Sequence, residues 1–178
     1  MIISAIKSKD VSDKRSVLHP ETIKNLISKG IEIIFESGIG DGIHVGDQTF
    51  IDLGAKPVSR ENCFSDAEII LTPSPIDDHE VKLIPGSKTL MGMVSPFDNQ
   101  ELLKKLCESN VNLVSMEFVP RITRAQKMDV LSSQANLAGY VAVIESSSLL
   151  SSAMPMMMTA AGTLKPARVF VIGVGVAG

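Results

Sequence analysis

The sequence is poor in the residues on which nucleic-acid-binding proteins depend. It contains no Trp and a single Tyr among 178 residues, so we do not expect nucleic-acid bases to stack on exposed aromatic rings. Lys and Arg number 17 against 20 Asp and Glu, which gives a net charge of −3. The basic residues are scattered along the chain rather than clustered. The composition therefore excludes the basic patch of a nucleic-acid or anionic-membrane binder.

Cysteine, histidine and long apolar runs are also scarce. Cys63 and Cys107 are far apart and neither lies in a Cys-x-x-Cys motif, so we interpret both as buried or half-buried thiols. The three histidines are widely spaced and predict no metal site. No run approaches the ~20 apolar residues needed to cross a bilayer, and the first residues lack the basic start of a signal peptide. These absences favour a cytoplasmic protein.

Short apolar segments that alternate with helical patterns are what the sequence does contain. Strands are predicted over Ile2–Ile6, Ile31–Phe35, Glu68–Leu71, Thr89–Val94 and Val111–Met116. Helices are predicted over Pro20–Lys29, Asp47–Leu53 and Ser133–Leu149, with two more capped by Asp77-Asp78 and by Asp98. This alternation predicts an α/β fold with a Rossmann-like parallel sheet covered on both faces. We expect an N-terminal domain over 1–132, a long linking helix over 133–150, and the start of a second domain over 151–178.

The last residues carry a glycine motif. An apolar segment, Arg168–Ile172, is predicted to be a strand and runs directly into G-x-G-x-x-G at Gly173–Gly178. Such glycines make a tight turn, let the backbone approach a pyrophosphate and allow close helix packing. The alternative is an ordinary glycine-rich turn. Because the motif is the end of the sequence, we expect the front part of a larger nucleotide enzyme, truncated in its cofactor domain, with weak NADH binding or none.

The densest polar segment, Pro120–Ser133, follows the predicted strand Val111–Met116. Ligands of open α/β sheets bind beyond the carboxyl ends of the strands. Arg, Gln, Asp and Ser side chains there could hold a carboxamide and ribose hydroxyls through directed hydrogen bonds. On composition alone, a helix N-terminal region with solvated charges explains the same residues.

Two blocks of the sequence resemble a known family. VPRITRAQKMDVLSSQANLAGY, over 119–140, and MMMTAAGTLKPARVFVIGVGVAG, over 156–178, resemble the NAD(H)-binding alpha subunit of proton-translocating NAD(P) transhydrogenase. The resemblance is weaker before Val111, where it includes Arg15, Pro20-Glu21 and Gly54-Ala55. That family is related to alanine dehydrogenase, which shares its fold and its glycine motif.

The resemblance implies an activity, a cofactor and a set of site residues. The implied reaction is direct hydride transfer between NADH and NADP⁺, coupled elsewhere to proton movement. Arg121, Asp129 and Ser132 would hydrogen-bond the nicotinamide and its ribose, and Gln126 would reach toward the NADP(H) that a partner presents. The pyrophosphate of NAD(H) would bind at Gly173, Gly175, Val176 and Gly178.

The resemblance also implies partners and a location. It implies a homodimer that docks to an NADP(H)-binding component and a membrane proton-channel component. The protein would be cytoplasmic and peripheral to the inner membrane through its partner subunit.

Two readings compete with transhydrogenase. Alanine dehydrogenases use a lysine after the strand that corresponds to Ile69–Leu71 and a histidine after the next strand. This sequence has Thr72-Pro73 and Ser95-Pro96 at those places, a departure that favours transhydrogenase. A non-catalytic fragment is the other competing reading.

Overall fold

The structure is a computed structural model that describes all 178 residues. It divides into two compact units, Met1–Val119 and Pro120–Gly178. The first unit contains a parallel sheet with its helices, and the second contains one long helix followed by a hairpin. The domain limits expected at 132 and 150 remain predictions.

Six strands form the sheet of the first unit. They are β1 (Ile2–Ala5), β2 (Glu32–Glu36), β3 (Lys56–Val58), β4 (Ile69–Thr72), β5 (Thr89–Gly92) and β6 (Asn112–Ser115). All neighbouring pairs are parallel, in the order β3-β2-β1-β4-β5-β6. The prediction of a Rossmann-like α/β fold is confirmed. Each of the five predicted strands is present in this unit, within two residues of its predicted ends, and β3 is an addition.

Five helices connect these strands. They are α1 (Pro20–Ile27), α2 (Asp47–Asp52), α3 (Arg60–Asp66), α4 (Asp78–Leu83) and α5 (Gln100–Glu108). Asp77 caps α4 as predicted, in a reciprocal capping box with Glu80. The predicted cap at Asp98 is wrong by one residue, because Asn99 is the N-cap residue of α5. Helix α3, capped by Ser59, was not predicted.

Apolar side chains pack on both faces of the sheet. One core joins β2 to α1 and α2 through Phe35, Ile23 and Phe50, and the Phe35 and Phe50 rings meet edge to face at 5.4 Å. On the opposite face, Phe64 and Leu106 belong to the core formed with α3, α4 and α5. Because both faces are covered, the strands are apolar nearly throughout, as buried parallel strands are.

The direction of strand addition reverses at the centre of the sheet. The chain adds β2 and β3 on one side of β1 and then returns to add β4, β5 and β6 on the other side. The carboxyl ends of β1 and β4 therefore meet at a topological switch point, where doubly wound folds usually bind ligands.

The second unit begins with the helix α6 (Val130–Leu149) and continues into the antiparallel hairpin of β7 (Met157–Thr159) and β8 (Gly162–Leu164). Helix α6 starts three residues before the predicted Ser133, because Asp129 caps it. The hairpin replaces what the sequence predicted to be an extended connector. No helix of the structure combines the length and apolar character needed to cross a membrane.

The predicted strand at Arg168–Ile172 is not formed in this structure. A strand requires a neighbouring strand to accept and donate its backbone hydrogen bonds, and no strand of the second unit pairs with this segment. Its side chains accordingly remain open to solvent, with Phe170 88% and Ile172 91% exposed.

Candidate functional site

The switch point of the first unit is occupied by charged side chains of the chain itself. The Glu80 carboxylate, only 3% exposed, accepts Arg60 Nε at 2.7 Å and Lys9 Nζ at 2.8 Å. Arg60 Nη1 also donates to Glu36 Oε2 at 2.6 Å, and Lys9 pairs with Asp77. These charges satisfy one another, so this edge of the sheet is stabilised by an internal ion network.

A cleft of about 230 Å³ lies beside this network, between the loops that follow β1 and β2. Its cation Arg15 is already engaged, because Nε and Nη2 donate to the two Asp13 oxygens at 2.8 Å each. Arg15 Nη2 also donates to the Pro73 carbonyl at 3.2 Å. The hydrogen bonds from Arg15 lower the pKa of Asp13. A substrate carboxylate would have to displace Asp13 to reach this guanidinium.

The loops that follow β4 and β5 carry neither lysine nor histidine at the two places that the sequence singled out. Thr72, 2% exposed, donates its hydroxyl to the Ser74 carbonyl at 2.5 Å. Glu117 accepts the Ser95 backbone N–H and the Ser115 hydroxyl, both at 2.6 Å. These groups hold the loops in place and offer no imidazole that could transfer a proton near neutral pH.

Asp129 and Ser132, two of the predicted site residues, are in direct contact in the second unit. Asp129 Oδ1 accepts the Ser132 backbone N–H at 2.9 Å, and Asp129 Oδ2 accepts the Ser132 hydroxyl at 2.6 Å. The hydrogen bonds from the Ser132 side chain and backbone lower the pKa of Asp129, and the nearby charge of Arg121 contributes in the same direction. The carboxylate is therefore ionised at neutral pH and caps α6.

Arg121 and Gln126, the other two predicted residues of this segment, are exposed. Gln126 belongs to a 3-10 helix, Thr123–Met128, that buried Ala125 anchors. Arg121 forms none of the ion pairs in the structure. Both long side chains are thus available to a ligand or a partner, whereas Asp129 is committed to the helix end.

The glycine motif folds back on itself in the second unit. Gly173 has a positive φ of 90°, and a Cβ at Gly178 would lie 2.2 Å from the Gly173 carbonyl oxygen, so both positions favour glycine. Gly175 has open space where a Cβ would be, which leaves its backbone accessible to a phosphate. Val176 is half exposed.

One residue of this packing was missed in the sequence. A Cβ at Gly139, inside α6, would lie 2.1 Å from the Ala177 carbonyl oxygen, so the end of the glycine motif lies against this helix. A glycine within a helical pattern is the signal that could have found it.

Family models match nearly the whole chain. A model described as the alanine dehydrogenase/PNT N-terminal domain matches residues 6–138, and the corresponding C-terminal domain model matches residues 142–178. The chain belongs to the alanine dehydrogenase/PNT family. This membership also makes it a relative of oxidoreductases that contain a nicotinamide dinucleotide-binding domain.

Individual relatives fall on the transhydrogenase side of that family. The chain is 42% identical over 183 residues to an NAD(P) transhydrogenase alpha subunit of Rickettsia prowazekii and 40% identical over 185 residues to that of Rhodospirillum rubrum. Both alignments cover 100% of this chain and 48% of the relative. The chain therefore spans about half the length of these curated relatives.

Solved structures agree with this placement. A transhydrogenase structure from Sinorhizobium meliloti superposes with a TM-score of 0.95 at 38% identity, covering 100% of this chain and 53% of that one. An L-alanine dehydrogenase superposes with a TM-score of 0.76 at 20% identity, covering 83% of this chain and 40% of that one. The second likeness shows a shared fold.

Proposed function

We propose that this chain is part of the NAD(H)-binding component of a proton-translocating NAD(P) transhydrogenase, which transfers hydride directly between NADH and NADP⁺. The observation that carries the proposal is the alignment of the entire chain with transhydrogenase alpha subunits at 40–42% identity. Alanine dehydrogenase, the alternative within the family, matches at 26% identity.

The side chains of the second unit suit a reaction that needs positioning rather than acid–base catalysis. The dinucleotide supplies the hydride chemistry itself. Arg121, Asp129 and Ser132 form the group that binds the nicotinamide and its ribose, while Gln126 extends toward the NADP(H) of the partner. Holding two reactants in the correct geometry lowers the barrier without any proton transfer by a side chain. The lack of a histidine in this segment is consistent with such a reaction.

The glycine motif suits the NAD(H) pyrophosphate. Gly173, Gly175, Val176 and Gly178 leave the backbone exposed, and the open position at Gly175 permits close approach of a phosphate. In this proposal NADP(H) binds to the partner component and not to this motif.

The first unit lacks the groups that an imino-acid reaction requires. Arg15 is paired with Asp13, and Thr72 and Ser95 stand where alanine dehydrogenases have a lysine and a histidine. Neither a second carboxylate-binding cation nor a proton-shuttling imidazole is present at these places, so this geometry gives alanine dehydrogenase activity no support.

The proposed assembly is a homodimer that binds an NADP(H)-binding component and a membrane proton channel. The protein is then cytoplasmic and peripheral to the inner membrane. The exposed hairpin supports association, because Met157, Met158 and Leu164 are 46%, 81% and 51% exposed. A two-stranded hairpin is marginally stable by itself in water, and a second copy would bury these side chains.

Two activity assays test the proposal on the full-length protein. With an NADP(H)-binding component added, it should reduce an NAD analogue from NADPH. With pyruvate, ammonia and NADH, it should show no NADH oxidation above the no-enzyme blank. Alanine formation together with failure of the first assay would overturn the transhydrogenase assignment in favour of its relative.

A further inference from the structure

The Asp129 carboxylate has no oxygen left without a protein partner. Oδ1 accepts the Ser132 backbone N–H at 2.9 Å and Oδ2 accepts the Ser132 hydroxyl at 2.6 Å. The side chain is 7% exposed, and its backbone carbonyl accepts both the N–H and the hydroxyl of Ser133, at 3.2 and 3.0 Å. A direct hydrogen bond from a ligand to Asp129 would compete with contacts that the helix end already makes.

The same contact determines what the Ser132 hydroxyl can do. A serine hydroxyl has one proton to donate and two lone pairs that accept. Because Asp129 is ionised and can only accept, the Ser132 proton is directed at Asp129 Oδ2. Toward any ligand, the half-buried Ser132 hydroxyl is therefore an acceptor, and the matching ligand atom must carry a hydrogen.

We propose that Asp129 is a positioning residue that acts through Ser132: it fixes the Ser132 hydroxyl as the acceptor for an N–H of the nicotinamide carboxamide. This inference rests on the proposed function, since it assumes that the nicotinamide binds at this segment. It divides the roles of the two residues, because Ser132 makes the ligand contact and Asp129 sets the direction of that contact.

A pair of dinucleotides isolates the proposed contact. In the reduced 3-acetylpyridine analogue of NADH, a methyl group replaces the amide nitrogen, so the ring substituent keeps its carbonyl but has no N–H to donate. The full-length protein should prefer NADH over this analogue. Ser132→Ala should reduce that preference by about two- to tenfold, which corresponds to one hydrogen bond between uncharged groups.

Variants of Asp129 separate positioning from direct contact. In Asp129→Asn the side-chain amide still caps the helix, but its NH₂ donates to Ser132 Oγ and turns the hydroxyl proton outward. The preference for NADH should fall as in Ser132→Ala, with little change in Tm. The double variant should show no further loss, whereas two independent ligand contacts would give losses that multiply. Ser133→Ala is the matched control, because it removes a hydroxyl hydrogen bond to the Asp129 backbone and should leave the preference unchanged.

A measurement without ligand checks the link between the two residues. In a carbon-13 NMR titration, Ser132→Ala should raise the pKa of Asp129 while Ser133→Ala leaves it unchanged. An unchanged Asp129 pKa in Ser132→Ala, an unchanged preference in Asp129→Asn, or multiplying losses would each overturn the positioning role. If the wild-type protein binds neither dinucleotide, the proposed function fails and this inference with it, an outcome distinct from the other three.

Discussion

Glu80→Gln tests whether the ion network at the switch point stabilises the sheet. The carboxylate is 3% exposed and accepts Arg60 at 2.7 Å, Lys9 at 2.8 Å and the Asp77 backbone N–H at 2.9 Å. Glutamine has the same shape but no charge, so Arg60 and Lys9 lose their strongest shared acceptor.

The expected loss of unfolding free energy is about 3 kcal/mol. Removing one partner of a buried ion pair costs about 3–5 kcal/mol, and the lower end applies because Arg60 keeps Glu36 and Lys9 keeps Asp77. For a chain of this size, the loss corresponds to a fall in Tm of roughly 6–12 °C. Urea denaturation followed by circular dichroism measures it.

An exposed pair provides the matched control. Glu101 pairs with Lys104 at 2.7 Å, a distance equal to that between Glu80 and Arg60, but its side chain is 76% exposed. Glu101→Gln should change the unfolding free energy by about 0.5 kcal/mol or less, since solvent screens such pairs.

The pH dependence has a definite sign. Burial would raise the pKa of Glu80, but the hydrogen bonds from Lys9 and Arg60 outweigh it and hold the pKa below its ordinary value of 4.5. The stabilisation is therefore present above pH 4.5 and is lost as the pH falls through the lower folded-state pKa. The wild type and Glu80→Gln should converge in stability on acidification. Equal stability of the two proteins at pH 7, or a gap that does not narrow below pH 4.5, would refute this reasoning.

Three further predictions concern other parts of the chain. Gly92→Ala should cost about 3 kcal/mol in urea denaturation, because its Cβ would lie 1.9 Å from the Thr72 carbonyl oxygen; Gly46→Ala, with open space around its Cβ, should cost far less. Arg121→Ala should slow hydride transfer roughly ten- to a hundredfold in stopped-flow assays through loss of about 1.5–3 kcal/mol, and a collapse of Tm would contradict its proposed role. At pH 8 a thiol reagent should label Cys107 alone, since burial raises the pKa of Cys63 to about 12, and both cysteines should react in urea.

The sheet could be predicted because its strands are distinct in sequence. Buried parallel strands give short apolar runs such as Ile69–Thr72, bounded by prolines and helical patterns. The edge strand β3, Lys-Pro-Val, gives no such run because its first two residues are exposed. The ion network was equally hidden, since Glu36, Arg60 and Glu80 are separated by 24 and 20 residues and only the fold brings them together.

The candidate site in the second unit was predictable in part for the opposite reason. Asp129 and Ser132 are three residues apart, the spacing of an N-cap residue and its backbone partner, so chain geometry alone brings them together. The predicted strand at Arg168–Ile172 failed because a strand depends on a neighbour rather than on its own residues. Its apolar β-branched pattern shows a preference for strand structure but supplies no hydrogen-bonding partner.

Different interactions define the two units, and this difference bears on the site. Helix α6 has no buried residue, and Glu145 is the only charged residue between Val130 and Leu164. An amphipathic helix is positioned by its apolar face, but α6 exposes Leu137, Tyr140 and Ile144. The start of this helix is instead set by the Asp129 cap, a local interaction worth about 1 kcal/mol. Because this contact requires only residues 129–132, the direction of the Ser132 hydroxyl depends on the cap and not on the packing of the sheet.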